Sequence, residues 1–331
     1  MKPRDFSREF RKALSLIRTH LTNSGLILLY HRVTVPDCAP DFDPFSMCIS
    51  PQNFEEHLSI LSRVAQPMRL EEMLQKSKSG SLPPRAVAIT FDDGYADNLY
   101  QAKPLLEKFK IPATVFIITG HLGEAFWWDD LSHIILQAEI LPQNLGLKLN
   151  GHIHQTFLTN NDKLSRRKLL KELLQFLQPL SSAQQRVALQ QLSNWAGLIQ
   201  ENQCDHRPLT VDELKKLSAG ELIEIGAHTV THPSLADLPL IKQQEEIVNS
   251  KVLLEQALNR TIRSFSYPFG LKNDYTNDTI SLVRGAGFEY ACSNEIGTVW
   301  SKSDLFQLPR YWIKNWSGPV FAKQIQRWLP G

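Results

Sequence analysis

The sequence predicts a parallel α/β fold, on three observations. Short apolar runs at Leu26–Tyr30, Ala86–Phe91 and Ala113–Ile118 have the length and character of strands buried on both faces. Segments with apolar residues at helical spacing lie between them, so strand and helix alternate as a parallel sheet requires. The first two runs also deliver titratable residues at their C-terminal ends, His31 after one and Asp92-Asp93 after the other. Strand ends of that kind are where such folds build their sites.

Composition narrows the class of protein. The 331 residues suffice for one large domain or two modest ones, and 42% apolar with 21% charged residues is ordinary for a globular chain. A net charge of +2, with no basic run interleaved with aromatics, argues against a nucleic-acid partner. Cys38, Cys48, Cys204 and Cys292 form no C-x-x-C pair and read as reduced thiols. No apolar segment approaches the roughly eighteen residues of a membrane span. Charges interrupt the first 25 residues throughout, which is unlike a signal peptide, so a cytoplasmic protein is the expectation.

Taken in order, residues 1–22 place Phe6, Phe10, Leu14, Ile17 and Leu21 at helical spacing among Arg8, Arg11, Lys12 and Arg18. Such a basic amphipathic helix suits either a peripheral membrane contact or packing against the domain that follows, 26–331. Residues 33–49, rich in proline and aspartate, read as a loop. Ser50 then caps a helix with Pro51 at its first position. Another helix is expected around Asp97–Phe109. From Trp127 to Gln203 the pattern is leucine-rich, with Leu170, Leu173, Leu174 and Leu177 on one face and Val187, Leu189, Leu192 and Trp195 on another. This predicts a helical insertion at about 124–208. Thr210–Glu213 is a capping box, Glu221–Gly226 a strand ending at His228, and Leu240–Leu258 a helix with Asn259 suited to a left-handed cap. Phe265–Tyr267, Tyr290–Ser293 and Arg310–Ile313 are the last strand candidates, with a helix over Thr276–Arg284.

Chemistry concentrates at two places. Adjacent carboxylates at Asp92 and Asp93 are costly unless something positive is near, and a divalent cation would make the pair tolerable, although Asp-Gly is also a common turn. His228 and His232 lie four residues apart, a spacing that on a helical turn puts both imidazoles on one face. Two unrelated surface histidines is the competing reading. One carboxylate with two imidazoles leaves coordination positions for water and substrate, an arrangement of catalytic rather than structural sites. The second aspartate is then free to act as a general base.

These segments carry a resemblance. Thr90-Phe91-Asp92-Asp93-Gly94 and His228-Thr229-Val230-Thr231-His232 resemble the first two motifs of the polysaccharide deacetylases, the NodB-homology group of carbohydrate esterase family 4. Ser266-Tyr267-Pro268-Phe269-Gly270 is similar to the third, a groove-wall segment, and Tyr30-His31-Arg32-Val33 and Leu308-Pro309-Arg310 are similar to a bacterial branch. The resemblance implies a distorted (β/α) barrel of about seven strands and metal-dependent removal of N-acetyl groups from amino sugars. It implies Asp93, His228 and His232 as metal ligands; two imidazoles and one carboxylate suit zinc first, and also cobalt, nickel, manganese or iron. Asp92 would be the base, and Tyr267, Pro268 and Phe269 would line the sugar groove.

The chain departs from the family pattern twice. Ser266-Tyr267 replaces the arginine that many members carry before the groove-wall proline, and no histidine follows His232 where many members have their catalytic acid. His31, on the same strand-end rim as Asp92, is the best candidate to replace that acid, the alternatives being that it only orients Asp92 or caps the barrel and that Asp92 reuses its own proton. Trp127-Trp128-Asp129-Asp130 offers either tryptophans stacked on a sugar, Trp128 in particular, or a local core. The expected substrate is an acetylated polysaccharide, oligosaccharide or glycolipid. Alternatives are a deformylase of a lipid-linked amino sugar and a saccharide-binding protein that needs the metal but lacks turnover.

Overall fold

The computed structural model describes residues 24–34, 43, 46–149, 152–198 and 207–329. The helix expected over residues 1–22 lies outside them. Strand β1 (Leu26–Tyr30) is buried along its length, and the short strands β2 (Arg32–Val33) and β3 (Cys48–Ile49) pair in parallel just beyond it. Helix α1 (Pro51–Val64) begins as expected, with the Ser50 side chain accepting from the Asn53 amide. β4 (Gln66–Pro67), α2 (Leu70–Lys78) and the buried β5 (Ala86–Phe91) follow. The helix expected from Asp97 is a π-helical turn at Asn98–Ala102 that runs into α3 (Lys103–Phe109), and β6 spans Ala113–Ile117.

The segment after β6 is not wholly helical, which corrects the expectation. α4 (Trp127–Gln137) is followed by an antiparallel hairpin of β7 (Asn144–Leu149) and β8 (His152–Phe157), then by α5 (Lys163–Leu177) and α6 (Ser182–Ala196). Leu145, Leu147 and Leu149 turn inward from β7 to meet Leu170, Leu173 and Leu192 in a common core, while Val187 is exposed rather than buried. Beyond it come α7 (Val211–Leu217), opened by the Thr210–Glu213 capping box, and β9 (Ile223–Ala227). α8 (Leu240–Leu258) ends on Asn259 at φ 49°, the left-handed cap its sequence implied. β10 (Ser264–Ser266), α9 (Asn277–Gly285), β11 (Tyr290–Cys292), β12 (Tyr311–Trp312) and α10 (Gly318–Trp328) complete the described chain.

The main sheet runs β11-β10-β9-β6-β5-β1-β12, with β4 also on β5, and its pairs are parallel. Its two edges approach each other: Cys292 bridges Leu308, and the Ser293 amide donates to the Leu308 carbonyl at 2.8 Å. The sheet is thereby curled into a distorted (β/α) barrel. Alternation along the strands divides the core. Leu28, Ile89 and Val115 pack outward with Phe54 and Leu58 of α1, whereas Ile27, Ala88 and Phe116 join Cys292 and Leu308 on the other face. Space on that inner face is short. A Cβ at Gly226 would sit 2.4 Å from the Phe116 ring and 2.6 Å from Ser264 Oγ, so only glycine fits there.

His57 ties α1 to the last helix. It is fully buried, stacks on Phe321 at 3.9 Å and donates from Nε2 to the Trp316 carbonyl at 2.7 Å. Burial lowers its pKa from 6.5 to about 4, so it is neutral in the fold. The unfolded chain therefore binds a proton that the fold does not as pH falls from about 6.5 to about 4, and stability is lost over that window. The shift is worth about 3 kcal/mol. In urea titrations at pH 7, 5.5 and 4.5, His57→Asn should start less stable than the parent and lose less on acidification. Parallel losses in the two proteins would show that His57 does not carry this term.

Candidate active site

The C-terminal ends of β5, β9 and β10 converge, and the chain bends sharply at each. After Phe91 the Asp92 amide still donates to the Tyr30 carbonyl at 3.1 Å, but Asp93 and Gly94 take φ of 73° and 83°. After Ala227 the His228 amide donates to the Ile117 carbonyl at 2.9 Å, and Thr229 and His232 lie at φ 64° and 61°. The two histidines therefore meet across a tight turn, not along a helix. Glu246 of α8 holds that turn, its Oε2 accepting from the Val230 and Thr231 amides at 2.8 Å each and its Oε1 from the Thr231 hydroxyl at 2.7 Å.

Asp93, His228 and His232 each offer one ligand atom, and these atoms lie within 4.8 Å of one another. Asp93 Oδ1 is 3.6 Å from His228 Nε2 and 3.7 Å from His232 Nε2. A tetrahedral ion with bonds of about 2.0–2.1 Å spaces its ligands roughly 3.4 Å apart, so the three fit such an ion with little movement. Their protonation agrees. Burial lowers the pKa of both imidazoles, keeping them neutral as ligands must be. Burial, then the charge of Asp92, pushes Asp93 well above the usual carboxylate range.

Asp92 has its own counter-charge. Arg310 grips it through two parallel bonds of 2.7 Å, and Ser266 Oγ donates to its Oδ2 at 3.1 Å. Burial alone would raise Asp92, but the Arg310 guanidinium outweighs it and holds the carboxyl below its ordinary range. Arg310 is itself buried and saturated, donating also to the Ser293 carbonyl at 3.0 Å and to Asn294 Oδ1 at 2.6 Å. Leu308-Pro309-Arg310 stood in the sequence as part of the resemblance, but its pairing with Asp92 was not legible there. The serine that replaces the expected arginine before the groove-wall proline bonds to both partners of this pair.

A cleft of about 260 Å³ opens onto these groups. His31 lines it, 8% exposed, with Nδ1 lacking a hydrogen-bond partner among the described residues and its ring 5.2 Å from Trp312. Burial lowers His31 from 6.5 to about 4, so it is neutral in the resting protein rather than poised near neutrality. Phe269, at φ 59°, and Asn294 form one wall. Trp127 and Trp128 of α4 line the cleft as well as packing in the core of the inserted segment, and Leu174 and Gln178 at the end of α5 join them, contacts of α5 that the helical pattern of that segment did not announce. Tyr267 is not in the wall. It alternates with Ser266, so when Ser266 faces Asp92 the tyrosine faces the core, stacked on Tyr275 at 4.1 Å and donating to the Phe306 carbonyl at 3.0 Å. Pro268 is buried and likewise absent from the lining.

Residues 79–291 match the family model of the polysaccharide deacetylases. The chain belongs to that family. The matched stretch holds both aspartates and both histidines, whereas His31 and Arg310 lie outside it. Over 316 residues this family member is 27% identical to the poly-beta-1,6-N-acetyl-D-glucosamine N-deacetylase of Staphylococcus aureus (strain MSSA476), covering 92% of this chain and 83% of that one. In fold it is similar to the Streptococcus pyogenes deacetylase PplD in complex with acetate, with a TM-score of 0.58 at 19% identity over 93% of this chain and 99% of that one. IcaB from Ammonifex degensii is equally similar, with a TM-score of 0.58 at 19% identity over 92% and 97% of the two chains.

Replacing Arg310 tests the pair. Arg310→Met would leave Asp92 buried without a counter-charge, at about 3–5 kcal/mol near neutral pH. In the parent, the contribution of Asp92 is present above the unfolded pKa and fades as pH falls through the folded one. In the variant the carboxyl gains stability by protonation instead, so the gap should narrow on acidification. Adding Asp92→Asn should recover part of the loss at pH 7. Urea titrations from pH 7 to 4 would refute the pairing if the gap stayed constant.

Proposed function

We infer that this family member is a metal-dependent hydrolase that removes N-acetyl groups from an amino-sugar polysaccharide. The observation that carries the reading is the division of labour between adjacent carboxylates. Asp93 converges with two neutral imidazoles, while Asp92 is held ionised by Arg310 at the same cleft. A saccharide-binding protein without turnover would need no ionised base there. Zinc suits two imidazoles and a carboxylate, and cobalt, nickel, manganese and iron share the preference. A divalent ion held by Asp93, His228 and His232 supplies Lewis acidity toward the amide carbonyl and activates water.

The remaining steps fall to the protein. Asp92 accepts the proton of the attacking water, and Arg310 keeps the carboxylate ionised and oriented to do so. The leaving amine needs a proton, since an amide anion is far too basic to depart. His31 is the donor proposed for it, from the cleft wall beside Asp92. Being neutral at rest, it must take up its proton during the reaction. The lowered pKa of His31 also favours a second reading, in which Asp92 returns the proton it has taken and His31 only donates a hydrogen bond.

Three variants separate these roles. Asp92→Asn should cut acetate release at least about a hundredfold with metal content unchanged. His31→Ala should also be slow, and His31→Gln decides between the readings. Glutamine keeps an N–H but cannot deliver a proton, so a glutamine variant near the parent's rate would remove His31 as the acid.

The Staphylococcus relative suggests the substrate class, a polymer of β-1,6-linked N-acetylglucosamine. Acetate release from β-1,6-linked oligomers should exceed that from β-1,4-linked ones of equal length, and the reverse order would discard this assignment. We also propose that the basic residues 1–22 rest on an anionic membrane surface. Flotation with anionic liposomes should distinguish the full chain from a variant lacking them, and equal flotation would dispose of the contact.

A further inference from the structure

The two histidines of the candidate metal site are oriented by different means. His228 Nδ1 bonds to the Ser266 carbonyl at 2.7 Å, which fixes the ring and leaves Nε2 for an ion. A ligating histidine ordinarily has such a bond behind it. His232 does not: its Nδ1 is buried with no hydrogen-bond partner among the described residues. Its ring stands instead between two aromatic side chains. Phe269 lies 4.8 Å away at 62° and Trp128 lies 5.3 Å away at 57°.

Trp128 is itself locked. Phe126 stacks on it at 4.5 Å and 17°. Its Nε1 donates to the Tyr95 hydroxyl at 2.8 Å, and that hydroxyl donates onward to Asp129 Oδ2 at 2.9 Å. The Arg32 guanidinium covers the tyrosine ring, 4.1 Å from its centroid. Neither Tyr95 nor Asp129 lines the cleft, so neither is placed to touch a substrate. The relay joins the loop that follows Asp93 to the first helix of the inserted segment.

We propose that Tyr95 and Asp129 are positioning residues for the metal ion, acting through Trp128 to hold the His232 imidazole in its ligating orientation. The aromatic wall does for His232 what the Ser266 carbonyl does for His228. An imidazole free to swing would have to be immobilised when the ion binds, and affinity would fall accordingly. The metal affinity of the site therefore depends on residues of the inserted segment that carry no ligand atom. This inference rests on Asp93, His228 and His232 as the ion's ligands.

The test is cobalt(II) binding to the chelator-stripped full-length protein, read as a dissociation constant by competition and as the visible absorption spectrum of the bound ion. Trp128→Leu should weaken binding about tenfold, the low end of what loss of a group behind a ligand does, and should alter the spectrum. Tyr95→Phe, which keeps the ring under Arg32 and removes only the hydroxyl, should weaken it severalfold, and Asp129→Ala should follow Tyr95→Phe. Trp128→Phe should recover part of the Trp128→Leu loss by restoring a flat face. Parent affinity and spectrum in both Trp128→Leu and Tyr95→Phe would overturn the proposal. If Trp128→Leu does not fold by circular dichroism, Tyr95→Phe alone decides. His232→Ala in the same assay separates the two levels of the argument. Undiminished cobalt affinity there would overturn the ligand assignment itself. A loss there, with the other variants at parent affinity, would overturn only the clamp.

Discussion

The structure depends on the fully buried pair of Asp92 and Arg310. Two adjacent carboxylates at a strand end, both with almost no exposure, are mutually repulsive and expensive to desolvate. Arg310 meets the first with a bidentate contact, and the second stands beside His228 and His232. The barrel interior is arranged to permit this. The small hydroxyl side chains of Thr90 and Ser266 leave room for a guanidinium that bonds to both and to the Ser293 carbonyl. Truncating the arginine would strand a charge, and a larger residue at 226 would displace Phe116.

Backbone strain gathers at the same place. Asp93, Thr229, His232 and Phe269 are non-glycine residues with positive φ, and all four belong to the site or its turns. Such conformations cost about 1–3 kcal/mol each and persist only where the surroundings impose them. The surroundings here are identifiable. Glu246 ties down the 229–232 turn, and Asn294 reaches back to the Phe269 carbonyl while its own amide donates to Gly270. The turns that carry Asp93, His228 and His232 are therefore held in place by named partners, as preorganisation of a site requires.

What the sequence disclosed follows a physical boundary. β1, β5 and β6 were legible because strands buried on both faces are continuous apolar runs, and Asp92, Asp93, His228 and His232 because they stand where such runs end. The partnership of Arg310 with Asp92 was hidden, since nothing local distinguishes an arginine in a buried pair from one in solvent. Glu246 was hidden for the same reason, as one acid on a long helix. The β7–β8 hairpin was available and overlooked. Asn150-Gly151 is the strongest short-range hairpin signal, and Leu145, Leu147 and Leu149 alternate. Leucine favours helices, however, and β8 carries Ile153 and Phe157 on its exposed side, which blurs the alternation. Tyr267 was misplaced by one step of a strand, the smallest error that reverses which face a side chain occupies.

The pair of Asp92 and Arg310 spans 218 residues of sequence. A ribosome releases chains from the N-terminus, so β1, β5 and β6 emerge, and can begin to pack, long before Arg310 exists. Until then Asp92 lacks its bidentate partner at the end of β5. The same late segment also carries Leu308, whose bridge to Cys292 brings the sheet edges together. The arginine paired with Asp92 and the residue that bridges the sheet edges are thus among the last parts of the chain to appear. A half-made molecule is an open sheet with unpaired edges, the kind of species that chaperones shield.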